Sequence, residues 1–333
     1  MILAGDVGAT KILLEVGELR SDRWEPVLER RYSTAAAENF SDVLRAFLDE
    51  CAECRIPAKK IKAAAIGVAG VPQANKVKMT HHAWSVDGDA IARRFSIPGV
   101  TVVNDLAATA NGIDLLSPAQ MVTIQPGKAS ATDPRVVIGV GTGLGIAYLV
   151  PDGAGGWRAI SGEGGHAGFA PATAAQLDLW QAIHAQCGRV SAEDIVSGRG
   201  LPSIHATLCG KPVLSQRDMS AGDIAAAADG GDACAIRTLD LFSECLGNVA
   251  GDHALSVLAR GGVYLAGGVV VKLLPKLHRE RFREAFCAKS PHSALMMKIP
   301  VKAVASDRVA ILGAVRIAAT RQASRVPEGA GQK

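Results

Sequence analysis

A carboxylate and an imidazole stand on either side of a pair of glycines in residues 161–171 of this chain. Glu163 precedes Gly164 and Gly165, and His166 follows them. Glycine permits positive φ and a close approach of the backbone to a second body. The spacing is therefore typical of a loop that presents polar side chains to a small molecule. The alternative is an ordinary glycine-rich turn with a solvated carboxylate and a surface histidine, because short motifs often occur by chance.

Two glycine-containing turns, each between two apolar runs, carry groups that suit phosphate. The first lies between residues 2–7 and 12–16, and the second between residues 135–140 and 146–150. Their residues are Asp6, Gly8, Ala9 and Thr10 in the first turn and Gly141, Thr142 and Gly143 in the second. Successive backbone N–H groups in such turns form a concavity that binds anions, and a threonine hydroxyl adds a donor. Either turn alone could be an ordinary hairpin, but their repetition with threonine in both favours a site for nucleotide phosphates.

Asp6 adds a carboxylate to the first turn. Magnesium usually keeps several waters and takes few carboxylates, so Asp6 could hold Mg²⁺ through water. The glycine-rich segment 139–145 does not fit the dinucleotide motif G-x-G-x-x-G, whose last glycine would fall on Leu144 or Ile146. The Gly-Lys pairs at 127–128 and 210–211 lack the other residues of a Walker A loop.

Two further carboxylates, Asp105 and Glu193, stand next to residues that are typical of helix N-termini. Asn104 and Asp105 stand where an apolar strand gives way to a helix, the position at which side chains of open α/β sheets face a ligand. Asp105 is a candidate general base for a sugar hydroxyl, although one member of the pair could simply cap the helix. Ser191 and Asp194 have the spacing of a capping box, which predicts Glu193 in the first turn of a helix. The helix dipole alone would favour a carboxylate there.

Hydrophobic periodicity predicts an α/β protein with strands in both halves of the chain. The predicted strands cover residues 2–7, 12–16, 27–32, 61–69, 100–103, 135–140, 146–150, 263–266 and 299–304. The predicted helices cover residues 39–53, a stretch from 106 onward, 174–186, 192–196, 220–229, 232–258, 273–288 and 309–320. Because the two hairpins share one design, we expect a duplicated α/β unit.

Composition limits the class of protein. Hydrophobic residues make up 48% and charged residues 20% of 333 residues, enough for two packed domains. The net charge of +4 comes without a long basic run, so we expect no nucleic-acid partner. The chain opens directly into a strand, without a signal peptide or a helix-turn-helix ahead of it, and the most apolar window, residues 262–274, is too short to span a bilayer. We expect a soluble cytoplasmic protein.

Seven cysteines are scattered along the chain. Cys51 and Cys54 fall on one face of a predicted helix, where cysteine acts as a small apolar residue. No second Cys/His pair at ligand spacing is evident, so zinc or redox chemistry is not expected.

Taken together, these motifs make the chain resemble the bacterial glucokinases of the hexokinase/actin-like superfamily, nearly from end to end. The two turns resemble the phosphate loops of that family, and residues 266–268 resemble its adenosine-side motif with Gly267 and Gly268. Asn104 and Asp105 are similar to the sugar-binding pair with the catalytic Asp. Residues 161–166 match the signature that supplies Glu163 and His166 to sugar hydroxyls, and residues 191–198 resemble the segment with a further sugar-binding Glu, here Glu193.

The resemblance implies a two-domain actin-like/ribonuclease H-like sugar kinase fold with a central cleft. Residues 1–110 with 302–321 would form a smaller α/β domain, residues 111–301 a larger one, and residues 322–333 a frayed tail. The implied reaction is transfer of phosphate from ATP to the 6-hydroxyl of glucose, with Mg²⁺, Asp105 as base, and Asn104, Glu163, His166 and Glu193 on the other hydroxyls. The family also implies a homodimer.

Three positions and one segment depart from the family pattern. Ala9 stands in place of a second glycine, which would weaken ATP binding if the turn required positive φ there. His81 replaces an Asn beside the sugar strand, and Leu106 replaces a Phe. The Cys-rich zinc segment of related sugar kinases is missing after His166, so we expect no structural zinc. A kinase for another hexose or for an N-acetyl amino sugar, and a weakly active sugar sensor, stay open as alternatives, and so does polyphosphate as the donor.

Overall fold

The computed structural model describes residues 1–21, 23–80, 82–153, 155–213 and 219–323. It consists of two compact units, Met1–Leu116 with the segment from Arg308 onward, and Ser117–Asp307. The sequence predicts domain boundaries after residues 110 and 301. His81 and residues 324–333 of the expected frayed tail lie outside the described residues.

The first unit contains a five-stranded and a three-stranded sheet. Its strands are β1 (Ile2–Val7), β2 (Lys11–Arg20), β3 (Arg23–Ser33), β4 (Ala63–Val68), β5 (Gly70–Gln73), β6 (Lys76–Met79), β7 (Ser85–Asp87) and β8 (Val100–Asn104). The larger sheet has the order β3-β2-β1-β4-β8. The strands β1, β2 and β3 pair antiparallel, while β4 and β8 run parallel to β1. Residues 63–68 are buried throughout, which explains the unbroken apolar run that predicts this strand.

Helices cover both faces of this sheet. They are α1 (Phe40–Glu53), α2 (Gly88–Phe95), α3 (Asp105–Gly112) and α11 (Val309–Ala323). Phe40 and Phe47 of α1 pack with Leu3 on one face, and Ile311 and Val315 of α11 pack with Ile2 and Ala4 on the other. The helix α1 begins as predicted, because the Asn39 side chain accepts a hydrogen bond from the N–H of Asp42.

Small residues bring α3 and α11 into backbone contact. A Cβ atom on Gly313 would lie 1.6 Å from the carbonyl oxygen of Ala108, and one on Gly112 would lie 2.1 Å from that of Val309. On the sheet side, a Cβ on Gly67 would lie 3.0 Å from the Cβ of Ala108. Side chains larger than hydrogen therefore do not fit at Gly112 and Gly313, the contact at Gly67 is tight, and α3 is held between β4 and α11.

The second unit repeats the strand topology of the first. Its strands are β9 (Met121–Gln125), β10 (Arg135–Val140), β11 (Leu144–Pro151), β12 (Trp157–Gly162), β13 (Val263–Ala266) and β14 (Val301–Val304). The sheet has the order β12-β11-β10-β13-β14-β9. An antiparallel meander of β10, β11 and β12 is followed by β13 and β14 parallel to β10, as in the first unit. The shared topology agrees with the duplicated α/β unit that the two hairpins predict.

One predicted helix of this unit is wrong, and another begins later than predicted. The helices observed are α4 (Ala174–Cys187), α5 (Gly200–Leu208), α6 (Ala221–Asp229), α7 (Ala233–Ser256), α8 (Gly268–Leu273), α9 (Arg279–Cys287) and α10 (Ser293–Met296). Residues 192–196 form turns and not a helix. The helix predicted over 273–288 is observed only as α9, since α8 ends at Leu273 and residues 274–278, which include Pro275, are not helical. Within the described part of the chain, none of the helices has both the length and the hydropathy to span a membrane.

We expect Gly313→Ala to destabilise the first unit, since the added methyl would push α11 away from α3. Overpacking of this kind costs about 1–3 kcal/mol, which corresponds to a fall of roughly 2–12 °C in the unfolding midpoint. Calorimetry of the full chain measures the shift. Gly222→Ala in α6 is the matched control, since a Cβ there meets only the Ser220 hydroxyl oxygen, at 3.4 Å, and should not destabilise the protein. Equal midpoints for the two variants would contradict the close approach.

Candidate active site

The first glycine turn joins β1 to β2 and is anchored by Thr34, the residue that follows β3. The N–H of Gly8 donates to the carbonyl of Lys11 at 3.0 Å. The hydroxyl of the fully buried Thr34 donates to the carbonyl of Gly8, also at 3.0 Å. Ala9 and Thr10 are exposed at the tip of this anchored turn. Ala9 is not among the residues with positive φ, so its methyl group adds no backbone strain.

Asn104 and Asp105 lie at the N-terminus of α3. The Oδ1 atom of Asn104 accepts hydrogen bonds from the N–H groups of Leu106 and Ala107, both at 3.0 Å, so Asn104 is the cap. Its Nδ2 donates to the carbonyl of Gly70 at 3.1 Å. Asp105 is half-buried, and its Oδ1 accepts from the N–H of Leu106 at 2.9 Å. With the cap supplied by Asn104, a carboxylate at Asp105 interacts favourably with the positive end of the helix dipole.

The sheet register brings Asp6 and Asp105 to the same end of the first unit. Asp6 pairs with Gly67 on β4, and Gly67 pairs with Val103 on β8. Neighbouring strands are separated by about 4.8 Å, so Asp6 lies roughly 10 Å from β8 across the sheet. The first turn and the Asn-Asp pair therefore occupy one edge, at the carboxyl ends of parallel strands.

Glu163 and His166 follow β12 in the second unit. Their Oε2 and Nε2 atoms are 3.8 Å apart, and both side chains are more than half exposed. The glycines between them pack against β11: a Cβ on Gly165 would lie 1.9 Å from the carbonyl oxygen of Leu144. Because only glycine fits there, the backbone lies on the strand while the two polar side chains project away from it.

The loop that carries Glu163 and His166 packs against His253 of α7. A Cβ on Gly164 would lie 3.1 Å from Cε1 of His253, whose Nδ1 is 2.9 Å from the Tyr148 hydroxyl. Burial lowers the pKa of His253 and raises the pKa of Tyr148. Both shifts favour the uncharged form of each side chain beneath the exposed Glu163 and His166.

Glu193 contacts both the end of the second glycine turn and the loop that carries Glu163 and His166. Its Oε2 accepts from the N–H of Leu144 at 2.8 Å, and its side chain is only 13% exposed. Its own N–H donates to the carbonyl of Gly165 at 2.8 Å. The predicted helical position of Glu193 is wrong: the hydrogen bonds between Ser191 and Asp194 form, but they close a turn. Contacts with two other segments thus replace the first turn of a helix.

Arg199 completes this connection and was not selected from the sequence. Its Nη2 donates to Oε1 of Glu193 at 2.6 Å, and its Nε to the carbonyl of Thr142 at 3.3 Å. The N–H of the preceding Gly198 donates to the carbonyl of Gly141 at 2.8 Å. The second turn is therefore held by one side chain and one backbone group of the segment 198–199. The only signal in the sequence is the position of Arg199 directly after Ser197 and Gly198.

Arg189 is a second residue that the sequence did not single out. Its Nη2 donates to the carbonyl of His166 at 2.6 Å, which fixes the end of the Glu163–His166 loop.

Gly267 and Gly268 begin α8 beside the second turn. Gly267 has φ +102°, and a Cβ there would lie 2.4 Å from the carbonyl oxygen of Val140. Ala266 pairs with Gly139 across β13 and β10. Gly267, Gly268 and the second turn therefore lie at the same end of two neighbouring strands.

The structure also assembles a Cys/His group that the sequence analysis did not recognise. Cys209 and Cys234 form a disulfide, and His205 lies beside them. The prediction that no second Cys/His pair has ligand spacing is wrong, because His205 and Cys209 are one helical turn apart and Cys234 joins them from another helix.

Comparison with known proteins identifies the family. The family model named Glucokinase matches residues 3–321. The chain belongs to the glucokinase family. A relative named glucokinase from Cupriavidus metallidurans is 38% identical over 273 residues, which cover 80% of each chain.

Solved glucokinases share the fold. The crystal structure of a glucokinase from an Antarctic psychrotroph has a TM-score of 0.82 at 27% identity, covering 96% of this chain and 98% of that one. A glucokinase from Balamuthia mandrillaris in complex with glucose has a TM-score of 0.76 at 24% identity, covering 96% and 93%. The predicted α/β sugar kinase fold of two units and the predicted class of enzyme, an ATP-dependent hexose kinase, are confirmed.

We expect Arg199→Ala to lower the catalytic efficiency of this glucokinase-family protein about tenfold, the equivalent of about 1.4 kcal/mol. The variant leaves the mostly buried Glu193 without its cation and frees the carbonyl of Thr142. Steady-state kinetics should show the KM for ATP rising, with Arg199→Lys restoring part of the loss. Arg283→Ala, which removes an exposed arginine of α9, is the control. Unchanged KM values in Arg199→Ala would show that the ion pair does not position the turn.

Proposed function

We propose that this chain transfers the terminal phosphate of ATP to the 6-hydroxyl of glucose, giving glucose 6-phosphate, with Asp105 as the general base. The observation that carries the proposal is the position of Asp105. It stands at the N-terminus of a helix that glycine contacts hold in place, at the same sheet edge as the first phosphate turn. The Asp105 carboxylate takes the proton of the 6-hydroxyl as the sugar oxygen attacks phosphorus and ADP leaves.

The other sugar hydroxyls bind to Asn104, Glu163, His166 and Glu193 in this proposal. Both oxygens of Glu193 already accept a hydrogen bond, but a carboxylate has about four acceptor sites, so the sugar can add to these contacts. The Oδ1 of Asn104 is engaged by the helix cap and one N–H of its Nδ2 by the carbonyl of Gly70, which leaves the second N–H to donate to a hydroxyl. A site built to hydrogen-bond hydroxyls rejects isomers that leave its polar groups unpaired.

ATP binds to the glycine turns in this proposal. Gly8, Ala9 and Thr10 contribute from the first turn, Gly141, Thr142 and Gly143 from the second, and Gly267 and Gly268 on the adenosine side. The exposed backbone and hydroxyl of Thr10 and Thr142 suit phosphate oxygens. Asp6 at the end of β1 provides the oxygen donor that would hold Mg²⁺ through water. When bound, Mg²⁺ would offset the negative charge of the phosphates.

The family resemblance leads us to propose in addition a homodimer that works in the cytoplasm on small-molecule substrates, without a nucleic-acid or membrane partner. We also propose that the segment after His166 holds no structural zinc.

An ADP-release assay tests the reaction across glucose, mannose, fructose and N-acetylglucosamine. We expect the highest kcat/KM with glucose and ATP, because the family match and the glucose-bound structural neighbour both concern glucokinases. A higher value with another sugar would assign a different hexose or amino-sugar kinase. Tight glucose binding without turnover would indicate a sugar sensor. Turnover with polyphosphate but not with ATP would identify polyphosphate as the phosphoryl donor.

We expect Asp105→Ala to lower kcat by about 10²–10⁴-fold, the usual contribution of a general base. Glucose and nucleotide binding should stay within a few fold, as measured by calorimetry, since Asn104 supplies the helix cap. Asp114→Asn in the same unit, which removes an ion pair to Arg316, should keep full turnover. Wild-type turnover in Asp105→Ala would refute its role as the base.

A further inference from the structure

A His/Cys/Cys group lies in the second unit, on elements that contribute none of the proposed substrate ligands. His205 is on α5, Cys209 is the residue that ends this helix, and Cys234 is the second residue of α7. One ligand atom from each of the three lies within 4.8 Å of the others. His205 is buried, while both cysteines are partly accessible to solvent. The group therefore combines a buried imidazole with two cysteines that are only partly buried.

A threonine fixes the tautomer of the histidine. The Thr238 hydroxyl donates its only proton to the carbonyl of Cys234, at 2.7 Å. It is also 3.1 Å from Nδ1 of His205, so it accepts from an Nδ1–H group there. The unprotonated Nε2 then directs its lone pair towards Cys209, whose Sγ is 3.6 Å away. A metal-bound histidine is held in the same way, by a hydrogen bond from its second ring nitrogen.

The distance between Nε2 and Sγ suits a tetrahedral metal ion. Zinc binds histidine nitrogen at about 2.0–2.1 Å and cysteine sulfur at about 2.3 Å, so the two ligand atoms of a tetrahedral site stand about 3.6 Å apart. His205 and Cys209 stand at i and i+4 of one helical face, and their 3.6 Å separation agrees with this value. Cys234 lies in the first turn of α7, where the helix dipole favours a thiolate.

We propose that the reduced chain binds one thiophilic divalent cation of the zinc class at His205, Cys209 and Cys234, with the fourth position open to water. The Cys209–Cys234 disulfide is the metal-free, oxidised form of the same site. In its formation the two thiolates give two electrons to a small-molecule disulfide, such as oxidised glutathione. That oxidant takes up two protons and leaves as two thiols, and the cation is released. This proposal departs from the expectation, drawn from the missing Cys-rich segment after His166, that the chain holds no structural zinc, since the site lies elsewhere, on α5 and α7.

The test is a titration of the full chain, stripped of metal and reduced with a phosphine, with Zn²⁺ against a chromogenic chelator and with Co²⁺ by absorption. We expect one equivalent of either ion and sulfur-to-cobalt charge-transfer bands. Cys209→Ser and Cys234→Ser should lose these bands and bind Zn²⁺ at least 100-fold more weakly. Thr238→Val should weaken binding about 10–100-fold, as expected for a hydrogen-bond partner of a ligand. Cys187→Ser, at an exposed cysteine of the same unit, is the control and should bind normally.

Oxidation provides the second arm of the experiment. After treatment with oxidised glutathione, alkylation and peptide mass analysis should find Cys209 and Cys234 joined by a disulfide. The single equivalent of bound Zn²⁺ should then be released from the protein. His205→Gln keeps both sulfurs and should still form the disulfide while binding Zn²⁺ weakly, which separates loss of a ligand from loss of folding. Absence of binding in the reduced chain, or equal binding by Cys209→Ser, Cys234→Ser and Cys187→Ser, would overturn the proposal.

Discussion

The second unit depends on satisfying one mostly buried negative charge. The carboxylate of Glu193 accepts from the N–H of Leu144 and from Arg199, while its own backbone reaches Gly165. A carboxylate removed from water must be paired and hydrogen-bonded, or it costs several kcal/mol. Three segments far apart in the chain are therefore held around one residue, Glu193: the second turn and the segment that leads to α5 by its side chain, and the Glu163–His166 loop by its backbone N–H. A change at any of them would alter the other two.

In the first unit, close backbone contacts position the proposed base, and an ion pair adds to them. Gly112 and Gly313 let α3 and α11 approach until larger side chains no longer fit, and Gly67 lets β4 pack tightly against Ala108 of α3. This places Asp105 at a fixed point relative to the sheet edge that carries Asp6. The Arg308 guanidinium adds an ion pair to the buried Glu15 of β2, so the start of α11 is tied to the same sheet. A helix from the far end of the chain thus supports the proposed base.

Both units have a glycine turn at the tip of the first hairpin of a three-stranded antiparallel meander. In each case a neighbouring segment holds the turn through its carbonyl groups: Thr34 binds Gly8 in the first unit, and Gly198 and Arg199 bind Gly141 and Thr142 in the second. Since the supports use carbonyl oxygens, they do not compete with the N–H donors that phosphate requires. This division of the backbone groups is consistent with the kinase activity of the glucokinase family.

The sequence by itself determined the elements that depend on local chemistry. Strands such as β4 follow from unbroken apolar runs, the start of α1 from the Asn39 cap, and the two turns from their glycines. Only the tertiary structure decided the rest, because it depends on residues that are distant along the chain. The capping box at Ser191 forms without a helix, since Glu193 is drawn to Leu144 and Arg199. Likewise, Cys234 meets His205 and Cys209 only because α5 packs on α7, a contact that no local pattern encodes.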